Sequence, residues 1–172
     1  MYKQKFNDDI NYNVYNNIHY MAEFARDIVL NEVQNVVIKS NRINRIESRV
    51  KSYNSTINKM IDKGYDLTLD NMIEKINDII GIRLICNNLN DVYYLVNCIK
   101  ADKEFKIITE KDYIVSPKKS GYMSYHIILQ YNISTNTLTI PIKAELQIRT
   151  EEMDKWANKA HDSTYKKNKK IV

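Results

Sequence analysis

The sequence predicts an α+β domain in which a mixed β-sheet has helices covering one face. Three observations carry that reading. Residues 122–132 and 138–150 alternate apolar and polar side chains with the two-residue period of a strand. The run "IIGIRLIC" (79–86) is almost continuously apolar and β-branched, as a strand buried on both sides would be. Ile18, Met21, Ala22, Ala25, Ile28, Val29, Val33, Val36 and Val37 follow helical spacing, which sets a long amphipathic helix over about 15–40.

The other elements follow in order. "RIESRVKS" (45–52) is a short strand or extended piece, and "SYNSTINKMIDKG" is a helix with Ser52 as its N-cap and Gly64 as its stop. A second short helix occupies 68–77 around Met72, Ile73 and Ile76. After the buried strand, 91–101 reads as a helix, "FKIITEK" (105–111) as a strand, and "VSPKKSG" (115–121) as a loop of turn formers. The two alternating strands form a hairpin through "ISTNT", and "EEMDKWANKAHDSTYK" closes as a helix capped by Thr150, with Glu151 and Glu152 in its first turn.

A chain of 172 residues, 44% hydrophobic and 27% charged, is expected to be one domain with a core of its own. Its divisions are an N-terminal helical part (about 1–45), a catalytic core (about 46–166) and a short basic tail (167–172). No apolar run approaches the roughly 18 residues of a membrane span, and the N-terminus lacks a secretory pattern. Two cysteines, Cys86 and Cys98, suggest neither a disulfide framework nor a zinc site, so a cytoplasmic protein with no membrane partner is expected. The net charge of +5 and a sequence pI near 9.0 point to phosphate-bearing partners.

In "KAELQIRT" (143–150) one strand face is Ala144, Leu146 and Ile148, while the other presents Glu145, Gln147 and Arg149. On the partner strand Tyr122, Ser124 and His126 share a face. If the strands pair, these side chains form a patch the size of a nucleotide. A solvated sheet face is the plainer reading of either strand alone. Asp78 stands just before the buried strand and Arg83 interrupts it, and a buried guanidinium needs a carboxylate, a phosphate or water. The plain structural partner for Arg83 is Asp78 or Glu145. Arg49 and Lys51 flank Val50, with Lys59 two helical turns beyond, so three cations gather where a polyphosphate would lie. A carboxylate pair for Mg²⁺ (Asp78, Glu145), a cation set (Arg49, Lys51, Lys59, Arg83) and a flat ring for a base (Tyr122) together make a phosphoryl-transfer site. No Walker-type loop or kinase signature is present.

At these residues the chain resembles the synthetase domain of the RelA/SpoT family, especially the stand-alone small alarmone synthetases. "RVKS" (49–52), "DIIGIRLIC" (78–86), "KDYIVSPKKSGYMSYH" (111–126), "ELQIRT" (145–150) and "MDKWANKAHDSTYK" (153–166) match its motifs in order, over about 42–166. The resemblance implies a nucleotidyltransferase-like fold and transfer of pyrophosphate from ATP to the ribose 3′-hydroxyl of GDP or GTP, releasing AMP. It implies Asp78 as a Mg²⁺ ligand and Glu145 as a second ligand or the base. Arg49, Lys51, Lys59 and Arg83 would hold ATP. Tyr122 would stack on guanine, with Lys118, His126 and Gln147 around the acceptor. This chain reads Lys118-Lys119-Ser120-Gly121-Tyr122-Met123-Ser124 where small members often have Lys-Pro-Asn-Gly-Tyr-Arg-Ser. Two other readings stay open: a toxin-like relative that pyrophosphorylates the tRNA 3′-end, and a nucleotide- or RNA-binding module without turnover. A homo-oligomer is also open.

Overall fold

The computed structural model describes residues 8–134 and 139–168. Its sheet contains β1 (Ile43–Val50), β2 (Ile80–Cys86), β3 (Lys106–Asp112), β4 (Tyr125–Ser134) and β5 (Thr139–Thr150). The strands lie in the order β1-β2-β5-β4-β3. β2 and β5 run parallel, and the other neighbours are antiparallel, so the sheet is mixed as expected. The helices are α1 (Asp8–Val37), α2 (Tyr53–Asp62), α3 (Leu69–Lys75), α4 (Leu89–Ala101) and α5 (Glu151–Asn168). The turn expected at "ISTNT" falls largely on residues outside those described, as does most of the basic tail. Among the described residues no helix is long and apolar enough to cross a membrane.

Alternation decides what each sheet face meets. Ile80, Ile82 and Leu84 on β2, Ala144, Leu146 and Ile148 on β5, and Tyr125, Ile127 and Leu129 on β4 are buried. They share one core with Ala22, Ala25, Val29, Val33 and Val37 of α1 and Val92, Leu95, Val96 and Ile99 of α4. A smaller cluster, Met60, Met72 and Ile76, ties α2 to α3. Two caps match the sequence reading: Ser52 Oγ accepts from Ser55 N at 3.4 Å and Thr150 Oγ1 from Met153 N at 3.3 Å. Thr68, read as part of its helix, is instead the cap, with Oγ1 accepting from Asn71 N at 3.2 Å. Gly64, at φ 68°, ends α2 in a conformation that L side chains rarely adopt.

Two expectations change. α1 runs from Asp8 to Val37 rather than over 15–40, and Ile38–Ser40 form a 3₁₀ turn before Asn41 at φ 50°. β4 begins at Tyr125 rather than Tyr122. Gly121 turns the chain at φ 83° and Lys118 N donates to the Tyr122 carbonyl at 3.2 Å, so 122–124 belong to the loop. Ser124 is therefore no part of a polar strand face: it is fully buried, with Oγ donating to the Ile148 carbonyl at 3.3 Å.

Helices do not keep to one face either. α5 closes the far end of the second face, where Arg149 and Asp154 are 2% and 1% exposed. The Asp154 carboxylate accepts from Arg149 Nη2 and Arg45 Nη2, lies 3.5 Å from Arg83 Nη1, and also accepts from Asn158 Nδ2 at 3.2 Å. Removing one partner of a buried ion pair costs about 3–5 kcal/mol, because the other charge is left without compensation. Asp154→Ala is therefore expected to lose that much stability in urea unfolding. Lys155→Ala, which breaks an exposed 3.9 Å pair with Glu151, should stay within about 0.5 kcal/mol of the parent. A wild-type urea midpoint for Asp154→Ala would show that this carboxylate does not anchor α5.

Candidate active site

The face not covered by α1 and α4 is organised in cross-strand rows. Glu47, Arg83, Gln147, His126 and Lys111 are in register across all five strands, and so are Arg49, Gly81, Glu145, Ile128 and Thr109. Neighbouring strands are about 4.8 Å apart and successive same-face residues about 7 Å apart. The polar face read from alternation on β5 is thus one segment of a wider floor. Arg49 runs alongside Gly81, where a Cβ would stand 3.6 Å from Arg49 Cγ, an ordinary van der Waals contact.

Glu145 is the most constrained group on this floor. Its Oε1 is 3.0 Å from His126 Nδ1, and Oε2 accepts from Gln147 Nε2 at 2.8 Å. Burial pushes the Glu145 carboxyl up, but the His126 hydrogen bond and charge, the Gln147 amide and the Lys59 charge outweigh it, and the pKa falls to about 2. Asp78, in the bend leading into β2, pairs with Lys59 Nζ at 2.8 Å and Lys51 Nζ at 3.3 Å. Two of the three cations grouped in the sequence, Lys51 and Lys59, therefore converge on this carboxylate.

His126 continues the chain of contacts, with Nε2 2.8 Å from the Tyr122 hydroxyl. The Tyr113 ring packs edge-on against His126 at 5.1 Å and against Tyr122 at 6.3 Å. Lys118 Nζ sits 4.5 Å from the Tyr113 ring centre and 4.8 Å from that of Tyr122, a cation–π contact to both. Gly121 brings this loop against α5: a Cβ there would stand 3.1 Å from Trp156 Cζ2.

Two shallow clefts open on the floor, with volumes of about 170 and 190 Å³, and Asp78 and Glu145 line both. Arg49, Arg83, Gln147 and Glu47 line the first; Lys59, Lys118, His126, Tyr113 and Lys111 line the second. Eight of the ten residues singled out in the sequence line a cleft. Of the other two, Lys51 reaches Asp78 and Tyr122 reaches His126. Gln147 lines the first cleft and Lys59 the second.

Arg83 also meets other partners than Asp78 or Glu145: its Nη1 donates to Glu47 Oε2 at 2.7 Å and faces Asp154. Glu47 was legible as the same-face neighbour of Arg49, two residues back. Asp154, Lys111 and Tyr113 fall within the quoted motifs 153–166 and 111–126, but alternation and spacing gave them no role.

A mixed sheet sealed by helices on one face, with two carboxylates among cations on the other, is a nucleotidyltransferase-like α+β domain. Within that class the chain belongs to the RelA/SpoT family. Residues 48–170 match the family described as the region found in RelA / SpoT proteins. The chain is 38% identical over 143 residues to GTP pyrophosphokinase YwaC of Bacillus subtilis (strain 168), covering 83% of this chain and 68% of that protein. Small alarmone synthetase 2 from Bacillus subtilis aligns with a TM-score of 0.80 at 35% identity, over 92% of this chain and 84% of that one. Small alarmone synthetase 1 from the same organism, bound to its product pppGpp, aligns with a TM-score of 0.83 at 26% identity, over 93% and 84%.

The lowered pKa of Glu145 makes a stability prediction. A carboxyl whose folded pKa is depressed from 4.5 to about 2 stabilises the fold above pH 4.5, and loses that contribution as pH falls towards 2. The difference is worth on the order of 3 kcal/mol. Between pH 6 and pH 2, wild type should lose more stability in urea than Glu145→Gln by about that amount. Parallel pH curves for the two proteins would show that Glu145 is not held down by its neighbours.

Proposed function

We propose that this protein transfers a pyrophosphoryl group from ATP to the ribose 3′-hydroxyl of GDP or GTP and releases AMP. The observation that carries the reading is the pair of clefts meeting at one acidic wall, Asp78 and Glu145. A two-nucleotide transfer needs such a plan: one cleft for the donor, one for the acceptor, and the phosphorus in between. The relative named a GTP pyrophosphokinase and the synthetase bound to pppGpp support the same chemistry.

In the transfer the 3′-oxygen attacks the β-phosphorus, the bond from that phosphorus to the bridging oxygen of AMP breaks, and the electron pair leaves with AMP. Arg49 and Arg83 bind the donor from the first cleft. Lys51 and Lys59, beside Asp78, neutralise phosphate charge near the transfer point. Lys118 and the Tyr122 ring hold the acceptor in the second cleft, next to His126. Mg²⁺ fits the carboxylates, since this ion is held by one or two carboxylates and substrate phosphates rather than by an all-protein cage. Asp78 and Glu145 would be its ligands. When bound it would neutralise charge developing on the transferred group.

The Glu145 pKa of about 2 favours ligand over base, because a base at neutral pH works best with a pKa near 7. In a loose phosphoryl-transfer transition state the hydroxyl proton leaves late, so water in the open cleft suffices to take it.

β-³²P-labelled ATP incubated with GDP, GTP or tRNA tests the reaction. The label is expected on GDP and GTP, with one AMP for each transfer. Label on tRNA alone would move the acceptor to nucleic acid, and no AMP with any acceptor would overturn the reading. Asp78→Asn and Glu145→Gln should each slow AMP release by about a hundredfold or more while the fold persists. Near-normal turnover of either variant at saturating Mg²⁺ would remove that carboxylate from the site.

A further inference from the structure

A stacking platform needs only the ring of Tyr122, yet the hydroxyl is engaged as well. It lies 2.8 Å from His126 Nε2, and the other ring nitrogen, Nδ1, lies 3.0 Å from Glu145 Oε1. One contact fixes the other. An ionised carboxylate only accepts, so Nδ1 must carry its proton towards Glu145. Nε2 then points at the Tyr122 hydroxyl, a group that can both donate and accept. Burial raises the Tyr122 pKa, against the charge of Arg149, which keeps the phenol protonated and able to donate. The His126 ring cannot easily turn away, because Tyr113 packs edge-on at 5.1 Å and Tyr122 at 5.7 Å. Gln147 Nε2 closes the arrangement by donating to the second Glu145 oxygen at 2.8 Å.

We propose that the Tyr122 hydroxyl is a positioning group for the transfer. It holds the His126 ring through Nε2, and His126 in turn fixes the orientation of Glu145 at the wall shared by both clefts. The loop that receives the acceptor is thereby linked to the carboxylate on which the transfer depends. Ring and hydroxyl of Tyr122 have separate tasks: the ring binds, and the hydroxyl orders Glu145 through His126. This inference rests on the pyrophosphoryl-transfer reading and adds a residue role to it.

Its test combines a spectrum with a mutant cycle. With three histidines in the chain, ¹⁵N imidazole resonances of the free protein can be assigned by substitution. The Nε2 resonance of His126 is expected to carry the mark of a hydrogen bond to the Tyr122 hydroxyl and to shift in Tyr122→Phe, with Nδ1 left in place. A His126 Nε2 resonance that does not move in Tyr122→Phe would overturn the proposal without any activity measurement.

In kinetics, Tyr122→Phe should lower kcat about tenfold, the scale on which second-layer partners act. KM for both nucleotides should stay within about twofold, because the ring remains. His126→Asn keeps an amide N–H where Nδ1–H stands but offers nothing to the phenol. In that background the Tyr122→Phe change should have almost no further effect on kcat. Wild-type kcat in Tyr122→Phe, a raised KM at unchanged kcat, or a tenfold loss that persists in the His126→Asn background would each sink the proposal. If wild type transfers no pyrophosphate to guanosine nucleotides, it is the reaction assignment that fails, and the ¹⁵N spectrum still decides whether the hydroxyl holds His126.

Discussion

One buried carboxylate ties the last helix to three strands of the sheet. Asp154, on the first turn of α5, meets guanidinium groups from three strands: Arg45 of β1, Arg83 of β2 and Arg149 of β5. Glu47 and Glu151 supply further anions, to Arg83 and Arg45 and to Arg45 respectively. Charges removed from water are tolerated only when paired in good geometry, and such pairs resist rearrangement because breaking one strands its partner. α5 is thus bound to the polar face by ionic contacts, while α1 and α4 are bound to the opposite face by apolar packing.

Arg83 is where that framework becomes a site. Its guanidinium faces Asp154 at 3.5 Å on one side and Glu47 at 2.7 Å on the other, and it lines the first cleft. The group that would meet a phosphate-bearing donor is therefore already oriented by the fold, so little ordering entropy is lost when it binds. The second cleft is built on another principle. Its cation, Lys118, rests against the aromatic rings of Tyr113 and Tyr122 and has a flexible stem, held by cation–π contact rather than by a carboxylate fork.

The same strands make core and chemistry. Leu146 is fully buried between Glu145 and Gln147, so a one-residue slip of β5 would bury the carboxylate and expose the leucine. The cost of such a slip fixes the register of the site. Because β5 lies between β2 and β4, it sets Glu145 beside Gly81 on one side and Ile128 on the other, and Gln147 beside Arg83 and His126.

What the sequence determined by itself was everything that depends on local backbone geometry. Period-two alternation placed Glu145, Gln147 and Arg149 on one face of β5, and helical spacing found α1. Ser52, Thr150 and Gly64 marked helix ends, and Asp78 with Arg49, Lys51, Lys59 and Arg83 was legible as a charged group awaiting a phosphate. The tertiary structure alone decided which of these groups meet. Arg83 pairs with Glu47, across the β1–β2 ladder, and with Asp154, 71 residues further along the chain, rather than with Asp78 or Glu145. Tyr122 leaves the strand pattern at Gly121 and reaches Glu145 only through His126. Gln147 and Lys59 line different clefts, because strand order and the packing of α2, not spacing along the chain, set the cleft each one meets. The physical reason is that side-chain direction follows from a residue's own φ and ψ, whereas ion pairs and clefts depend on which distant strands become neighbours, and that is settled by burying the whole apolar face at once.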